Sequence, residues 1–382
     1  MLKVLHVISG IDPQNGGPTR ALLGLTVAQV RIGIDASVVA TYRQPTGPAN
    51  VPAFESANVP VQMIGPAWGP PSWHSSIPRV LRERIAQCDV VHVHAMFEEI
   101  QHHAARIARG LGKPYIIRPC GGLDPWTLAR GRLKKRLYLA WRLRKHLDYA
   151  AAIHYTTAAE RQAAAPLGLK APTIVEPNGI DLVEFDPLPH KGLFRATRPE
   201  IGGRRIVLFL GRIDPKKGLD LLIPAFARAN PPDTVLVLAG PDSFGYERQM
   251  RRLADREGLA DRTIFPGMLH GRARIEALVD ADLFVMPSYV ENFGISVIEA
   301  MAAGLPVILS DQVNLSTDLP PTVGQTIRLD TQTALAQAIT AWLCDAPRRH
   351  AAGIAGRALA LARYDWRCIA DRFSDHYTRL SK

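Results

Sequence analysis

The chain has 382 residues, 47% of them hydrophobic and 21% charged, and its 46 Lys and Arg outweigh 35 Asp and Glu to leave a formal charge of +11. That composition excludes a disordered or fibrous chain, and the length exceeds what one ordinary core organises, so two domains of α/β character are expected. The basic balance suits an anionic partner, which could be a nucleotide, a nucleic acid or a membrane surface.

In chain order, strands and helices alternate from the start. Leu2 to Ile8 is a short, mostly apolar run of buried parallel-strand type, followed by a polar, Gly-rich loop and a helix expected from Thr19 to Arg31. Within that loop, Asn15-Gly16-Gly17-Pro18 would let backbone approach a phosphate or a sugar closely. It equally suits a plain turn with a helix starting at Pro18. Strand signal recurs at Asp35 to Ala40, Val59 to Ile64, Asp89 to Val93, Tyr115 to Arg118 and Ala151 to Tyr155, the βαβ pattern of a doubly wound sheet. Val90-Val91-His92-Val93-His94 sets both histidines on one side, with His94 near the carboxyl end, where open α/β sheets bind ligands. A hydrogen-bonded structural histidine is the alternative there.

Arg130 to Asp148 holds eight Lys and Arg before its first acid, Arg130, Arg132, Lys134, Lys135 and Arg136 among them, with Leu133, Leu137, Trp141 and Leu147 roughly along one helical side. Such a segment can lie in an anionic headgroup layer, cover the sheet as an amphipathic helix, or do both. The Pro-, Gly- and Asp-rich stretch from Val175 to Gly192 then puts a domain boundary at about residue 180, giving domains 1–180 and 181–363.

A second alternation follows, at Arg205 to Leu210, Thr234 to Ala239, Thr263 to Phe265, Leu283 to Met286 and Val307 to Leu309. Just beyond its first strand, Gly211 to Gly218 offers Arg212, a planar fork for phosphate oxygens, and Lys217, a compact charge. Cations gathered there are costly to desolvate unless an anion arrives, though a solvated basic turn would look the same. Asp280-Ala281-Asp282 has the form of a metal-binding pair but precedes its strand, at the wrong end of the sheet, so no metal site is expected. After Leu283 to Met286 comes a loop with Glu291. It leads the amides of Gly294, Ile295 and Ser296 to a helix N-terminus suited to phosphate, and Glu299 lies a little over one turn into that helix. The end is helical, from Ala334 to Cys344, on to about Arg363, and from Trp366 to Leu380; the last piece, 364–382, can pack back on the first domain.

Cys88, Cys120, Cys344 and Cys368 have no CxxC spacing, which fits a reducing compartment and argues against metal ligation by them. MLKVLHVISG is a strand entering a loop rather than a signal peptide, and no run reaches the roughly 18 to 20 apolar residues that span a bilayer. The expectation is a cytoplasmic protein, with any membrane contact peripheral.

Taken together, these residues resemble the retaining glycosyltransferases of the GT-B fold, in particular the large bacterial family 4, over nearly the whole chain. Glu291 and Glu299 match that family's E-x7-E signature, Gly211-Arg212 through Lys217-Gly218 its G-R-x4-K-G segment, and Val175 to Asp181 its interdomain PNG motif. Asn15-Gly16-Gly17 is similar to its N-terminal glycine loop and Val91 to His94 to its strand-end histidine. The resemblance implies two Rossmann-like domains facing across a cleft, an N-terminal one for the acceptor and a C-terminal one for a nucleotide sugar. It also implies that Arg212 and Lys217 neutralise the donor diphosphate, that Glu299 binds the ribose, and that Glu291, the amides of Phe293, Gly294 and Ile295, and His94 attend the donor sugar. Gly16 and Gly17 would line the donor as well. The implied reaction is hexosyl transfer from a UDP- or GDP-sugar to an acceptor hydroxyl with retention, without cofactor or metal. Arg118 to Trp126 and the basic segment after it resemble the acceptor side of exopolysaccharide or lipopolysaccharide enzymes. That implies a saccharide or lipid-pyrophosphate-saccharide acceptor and docking on an anionic membrane, with no nucleic-acid partner. A nucleotide-sugar 2-epimerase on the same fold and a non-enzymatic anion-binding protein are the competing readings, and the intact E-x7-E with its GR and KG pairs argues against the first.

Overall fold

A computed structural model of the chain describes residues 1–13, 16–44, 50–129, 138–329 and 332–382. It divides into two compact units, Met1–Gly179 together with Trp366–Lys382, and Ile180–Asp365.

In the first unit, β1 (Lys3–Ile8), β2 (Asp35–Thr41), β3 (Val61–Ile64), β4 (Val90–His94), β5 (Tyr115–Arg118), β6 (Ala152–Tyr155) and β7 (Thr173–Val175) form one parallel sheet in the order β3-β2-β1-β4-β5-β6-β7. Both faces of the sheet are covered: Leu5, Val7, Val91 and Val93 pack with Ile100 and Ala104 of the helix Glu99–Gly110 on one side. On the other, Ile8, Val38 and Ala40 meet Leu22 of the helix Gly17–Arg31. The terminal helix Trp366–Leu380 buries Trp366, Ile369, Phe373 and Tyr377, a stripe at helical spacing. It lies close against Gly17–Arg31, so that a Cβ on Gly24 would come within 2.0 Å of Trp366 Nε1.

The second unit repeats the plan. β8 (Arg205–Leu210), β9 (Thr234–Ala239), β10 (Thr263–Gly267), β11 (Leu283–Met286), β12 (Val307–Ser310) and β13 (Gly324–Ile327) are ordered β10-β9-β8-β11-β12-β13. Alternate residues sort to the two faces. Leu208, Phe284 and Met286 join Val297, Ile298 and Met301 of the helix Ile295–Ala302. Val207, Phe209 and Val285 join Leu222 and Phe226 of the helix Leu219–Ala229 and Trp342 of Gln332–Cys344.

Two strands go beyond the sequence reading. β7 and β13 are edge strands of three and four residues whose side chains are only partly covered, so neither carries the continuous apolar run that marks a buried strand. The basic segment also departs from a single amphipathic helix. Leu139–Leu143 forms a π-helical turn ahead of Arg144–Asp148, and while Leu143 and Leu147 are buried, Trp141 is 88% exposed, so Trp141 and Leu147 do not share a side. Six residues separate them, about 240° in azimuth at 100° each. Arg142 pairs with Glu99, and Arg144 with Asp148 and the carbonyls of Leu167 and Gly168. Arg130, Arg132, Lys134, Lys135 and Arg136 lie outside the described residues, as does Asn15. Among the described residues, no helix is long and apolar enough to cross a membrane.

Candidate active site

Strand order reverses between β8 and β11 in the second sheet, and the crevice beyond the carboxyl ends at such a reversal is where open α/β sheets take ligands. The signature residues of this unit gather there. Arg212 follows β8 and is exposed; Lys217 ends the short 3-10 turn Pro215–Lys217, whose start is capped by Asp214 accepting from the Lys216 amide. Gly218 has φ +67°, and a Cβ on it would sit 2.0 Å from the carbonyl oxygen of Pro287, just after β11. Only glycine lets the two loops approach so closely. The Tyr289 amide donates to the Lys216 carbonyl (2.8 Å) and its hydroxyl to Asp220 (3.0 Å), which ties the loops further.

Glu291 is held from its backbone, donating to the Gln312 carbonyl (3.1 Å) and accepting from the Asn314 amide (3.0 Å). Its carboxylate makes a short ion pair with the Lys217 ammonium, with under a fifth of either side chain exposed. Phe293 is buried edge-on against Tyr364, so only its backbone can serve a ligand. Gly294 takes φ +87° and opens the helix Ile295–Ala302, whose first residue is Ile295. Glu299 is fully enclosed, and its Oε1 lies 3.5 Å from the guanidinium of Arg274, which also pairs with Glu184. Sequence reasoning missed Arg274: it sits in the helix Gly271–Asp280 two residues after Arg272, and only the fold brings it beside Glu299. Asp280 accepts from the amides of Gly192 and Arg195, and Asp282 from that of Ile206. Both carboxylates therefore serve as anchors for backbone at the amino end of β11.

In the first unit the reversal falls between β1 and β4. Gly16, with φ +75°, precedes the helix Gly17–Arg31, and a Cβ on Gly17 would meet open space. His94 ends β4 fully buried, its Nε2 2.9 Å from His6 Nδ1 on the neighbouring strand. His6 is in register with His92, and His154 on β6 lies beyond it. Burial is the largest cause that lowers all four imidazoles, His6 to about 4 and His154 to about 3, with His92 and His94 held well below the usual value. The sequence reading found His92 and His94 in VVHVH but passed over the same signal in KVLHVI and AIHY, which set His6 and His154 inside otherwise apolar strands. Nearby, Arg118 donates to Asn178 (2.5 Å), and Glu160 accepts from the amides of Gly121 (3.0 Å) and Thr156 (2.7 Å), which fixes the loop after β5.

Comparisons with known proteins agree with this layout. The family model described as glycosyl transferases group 1 matches residues 192–359, and that of the glycosyl transferase 4-like domain matches 16–179, so the pair spans most of the chain. The D-inositol 3-phosphate glycosyltransferase of Nocardia farcinica is 34% identical over 53% of this chain and 47% of its own, so the chain spans about half the length of that relative. The GDP-mannose:cellobiosyl-diphosphopolyprenol alpha-mannosyltransferase of Xanthomonas oryzae is 27% identical over 98% of this chain and 96% of its own. Among solved structures, Anabaena Alr3699/HepE in complex with UDP and glucose superposes with a TM-score of 0.82, at 20% identity, over 99% of this chain and 100% of that one, and so shares the fold. With both family models in the order that the two sheets require, the chain belongs to the group 1 glycosyltransferases of the GT-B fold.

Proposed function

We propose that the protein transfers a hexosyl group from a UDP- or GDP-sugar to an acceptor hydroxyl with retention of anomeric configuration and without a metal. One observation carries the reading: beyond the carboxyl ends of β8 and β11, Lys217 pairs with Glu291 beside Gly294, which opens the helix that also carries the buried Glu299 with its partner Arg274. Arg212 and Lys217 take the diphosphate, and Lys217 exchanges its carboxylate partner for phosphate oxygens. Glu291 is thereby released toward the sugar, and donors fixed in advance stabilise the charge that grows on the leaving diphosphate. The bond from the anomeric carbon to the diphosphate oxygen breaks as the bond to the acceptor oxygen forms, and the acceptor's proton passes to a donor phosphate oxygen. Glu299 accepts from the ribose hydroxyls, Arg274 holding its other side, while the amides of Phe293, Gly294 and Ile295 line the donor; the family resemblance assigns Gly16 and Gly17 to the donor as well and His94 to its sugar.

A thermal-shift panel of UDP- and GDP-sugars tests this. A donor at a hundredfold excess over its dissociation constant should stabilise the wild type by about 2.7 kcal/mol, and Glu299→Ala should abolish the gain. Absence of a shift with every donor would overturn the reading.

The activity for which the Xanthomonas relative is named supports a lipid-diphosphate saccharide as the acceptor class here. The basic run at 130–136 and the exposed Trp141 support peripheral docking on an anionic membrane from the cytoplasmic side. Reversing the charges of Lys134, Lys135 and Arg136 should weaken binding to anionic liposomes at moderate salt, and unchanged binding would refute the docking.

A further inference from the structure

Four buried histidines of the first unit, His6, His92, His94 and His154, are linked in one hydrogen-bonded train whose polarity can be read from one end. His154 Nε2 lies 2.8 Å from the carbonyl oxygen of Glu176, which can only accept, so that nitrogen carries the proton. A neutral His154 then accepts at Nδ1 from His92 Nε2 at 3.3 Å. His92 in turn must accept at Nδ1, and its partner there, at 2.8 Å, is the Tyr377 hydroxyl. That hydroxyl has spent its one proton, so it accepts from the amide nitrogen of Gln29 at 3.1 Å. The orientation leaves the Gln29 oxygen to accept from His6 Nε2 at 2.8 Å. His6 Nδ1 is therefore an acceptor, and His94 Nε2 donates to it at 2.9 Å. At the end of the train His94 Nδ1 bears a lone pair, is buried, and has no hydrogen-bond partner among the described residues.

We propose that His6, Gln29, Tyr377, His92 and His154 are positioning residues that fix His94 as the neutral Nε2–H tautomer and present its Nδ1 as an acceptor for a sugar hydroxyl. The assignment rests on the transferase reading for the identity of the ligand, but the tautomer rests only on the hydrogen bonds and on the neutral state that burial imposes on the four rings. A buried acceptor without a donor is costly, so the ligand group that completes it is selected for having a proton to give. A hydroxyl does. A carboxylate at the same place presents only lone pairs and is repelled. The site is thus built for a neutral hexosyl donor and against a uronic acid. It also gives the C-terminal helix a part in recognition, since Tyr377 sets the direction of the train. A transition metal held by His6, His92 and His94, whose ligand atoms lie within 4.8 Å of one another, is the rival account. It is disfavoured because both nitrogens of His92 and of His6 are already engaged in the train.

The test is the imidazole nitrogen spectrum of the full chain labelled with [15N]histidine, at neutral pH and without ligand. His6, His92, His94 and His154 should each show a protonated Nε2 and a bare Nδ1. A proton on His94 Nδ1, or a charged ring, would overturn the proposal, as would collapse of the His6 and His94 signals on adding one equivalent of zinc. Tyr377→Phe, checked for folding by its melting curve, should mix the tautomers of His6 and His94 and raise KM for the donor by roughly tenfold with a smaller change in kcat. If that variant does not fold, the wild-type spectrum still decides. Comparing a neutral donor with the uronic acid of the same nucleotide and ring configuration should show a preference of roughly ten- to a hundredfold for the neutral one; an equal or inverted preference counts against the acceptor role. Failure of every donor to turn over would instead sink the transferase reading and leave the spectrum unchanged.

Discussion

Arg274 shows how much of this site depends on a residue that touches no expected ligand. Its guanidinium stands between Glu299, fully enclosed, and Glu184, nearly half exposed. Removing a cation from beside a buried carboxylate costs about 3 kcal/mol, since the charge left behind keeps its desolvation penalty. Arg274→Met should therefore lower the urea midpoint and also erase most of the donor-induced thermal shift, because Glu299 would no longer be held in line for the ribose. Glu184→Gln, which alters only the exposed partner, should change stability by less than about 1 kcal/mol and leave the donor shift in place. Equal effects of the two variants would show that Arg274 acts through Glu184. Nothing in local sequence separates Arg274 from the arginines around it, whereas Glu291, Glu299, Arg212 and Lys217 could be found because their spacing follows the strand, loop and helix that carry them. His6 was half legible. A polar side chain in a buried parallel strand must have a partner, but its partner Gln29 is on the helix Gly17–Arg31 and Tyr377 is 348 residues further along from Gln29, a pairing that only the fold can state.

Among the elements, the loop pair Gly211 to Gly218 and Pro287 to Gly294 behaves as one unit because the turn at Gly218 presses on the end of β11. With φ +67° and a Cβ that would overlap the Pro287 carbonyl, Gly218→Ala has to move backbone rather than a flexible side chain. The expected result is a loss of about 2 kcal/mol or more, together with a weakened donor shift, since the displacement carries Lys217 away from its place beside Glu291. Gly203→Ala is the control: a Cβ there meets nothing within 4 Å, and its melting temperature should hold. Melting curves of the two variants decide the matter, and an unchanged Gly218→Ala would mean that the loops are not coupled. Elements of this sort were readable where a run is apolar on both faces, as in Arg205–Leu210 and Leu283–Met286. They were unreadable at sheet edges, where β7 and β13 satisfy one side of their backbone and bury little, and at the π-helical turn Leu139–Leu143, although the six-residue spacing of Trp141 and Leu147 already sets those two apart in azimuth.

At the level of the whole molecule the two units carry different loads of buried ionisable groups, and acid should separate them. In the first unit His6 and His154 are lowered to about 4 and about 3, His92 and His94 lie well below 6.5, and His102, His103 and His146 are lowered as well, burial being the leading cause in each case. Arg118 faces the buried row and adds repulsion to His6, His92, His94 and His154, His376 adds to it at His154, and Glu176 is committed to Arg372 and His376. Above pH 6.5 these imidazoles are neutral in both folded and unfolded chains and leave stability unaffected. As the pH falls below the unfolded value of 6.5 the unfolded chain takes up protons that the folded one refuses, so each steepens the decline by up to about 1.4 kcal/mol per pH unit. For His6 the decline runs until its folded value near 4 is reached and the native ring charges too. Glu176, held low by its cations, adds a loss of the same sign only below its ordinary range, near pH 4.5. Calorimetry between pH 7 and 4 should accordingly show the transition of the first unit, followed by hydrogen exchange at β1 and β4, falling well ahead of that of the second. Parallel decline of the two would mean that the histidine row is not neutral in the native state, and the direction read from the Glu176 carbonyl would lose its footing with it.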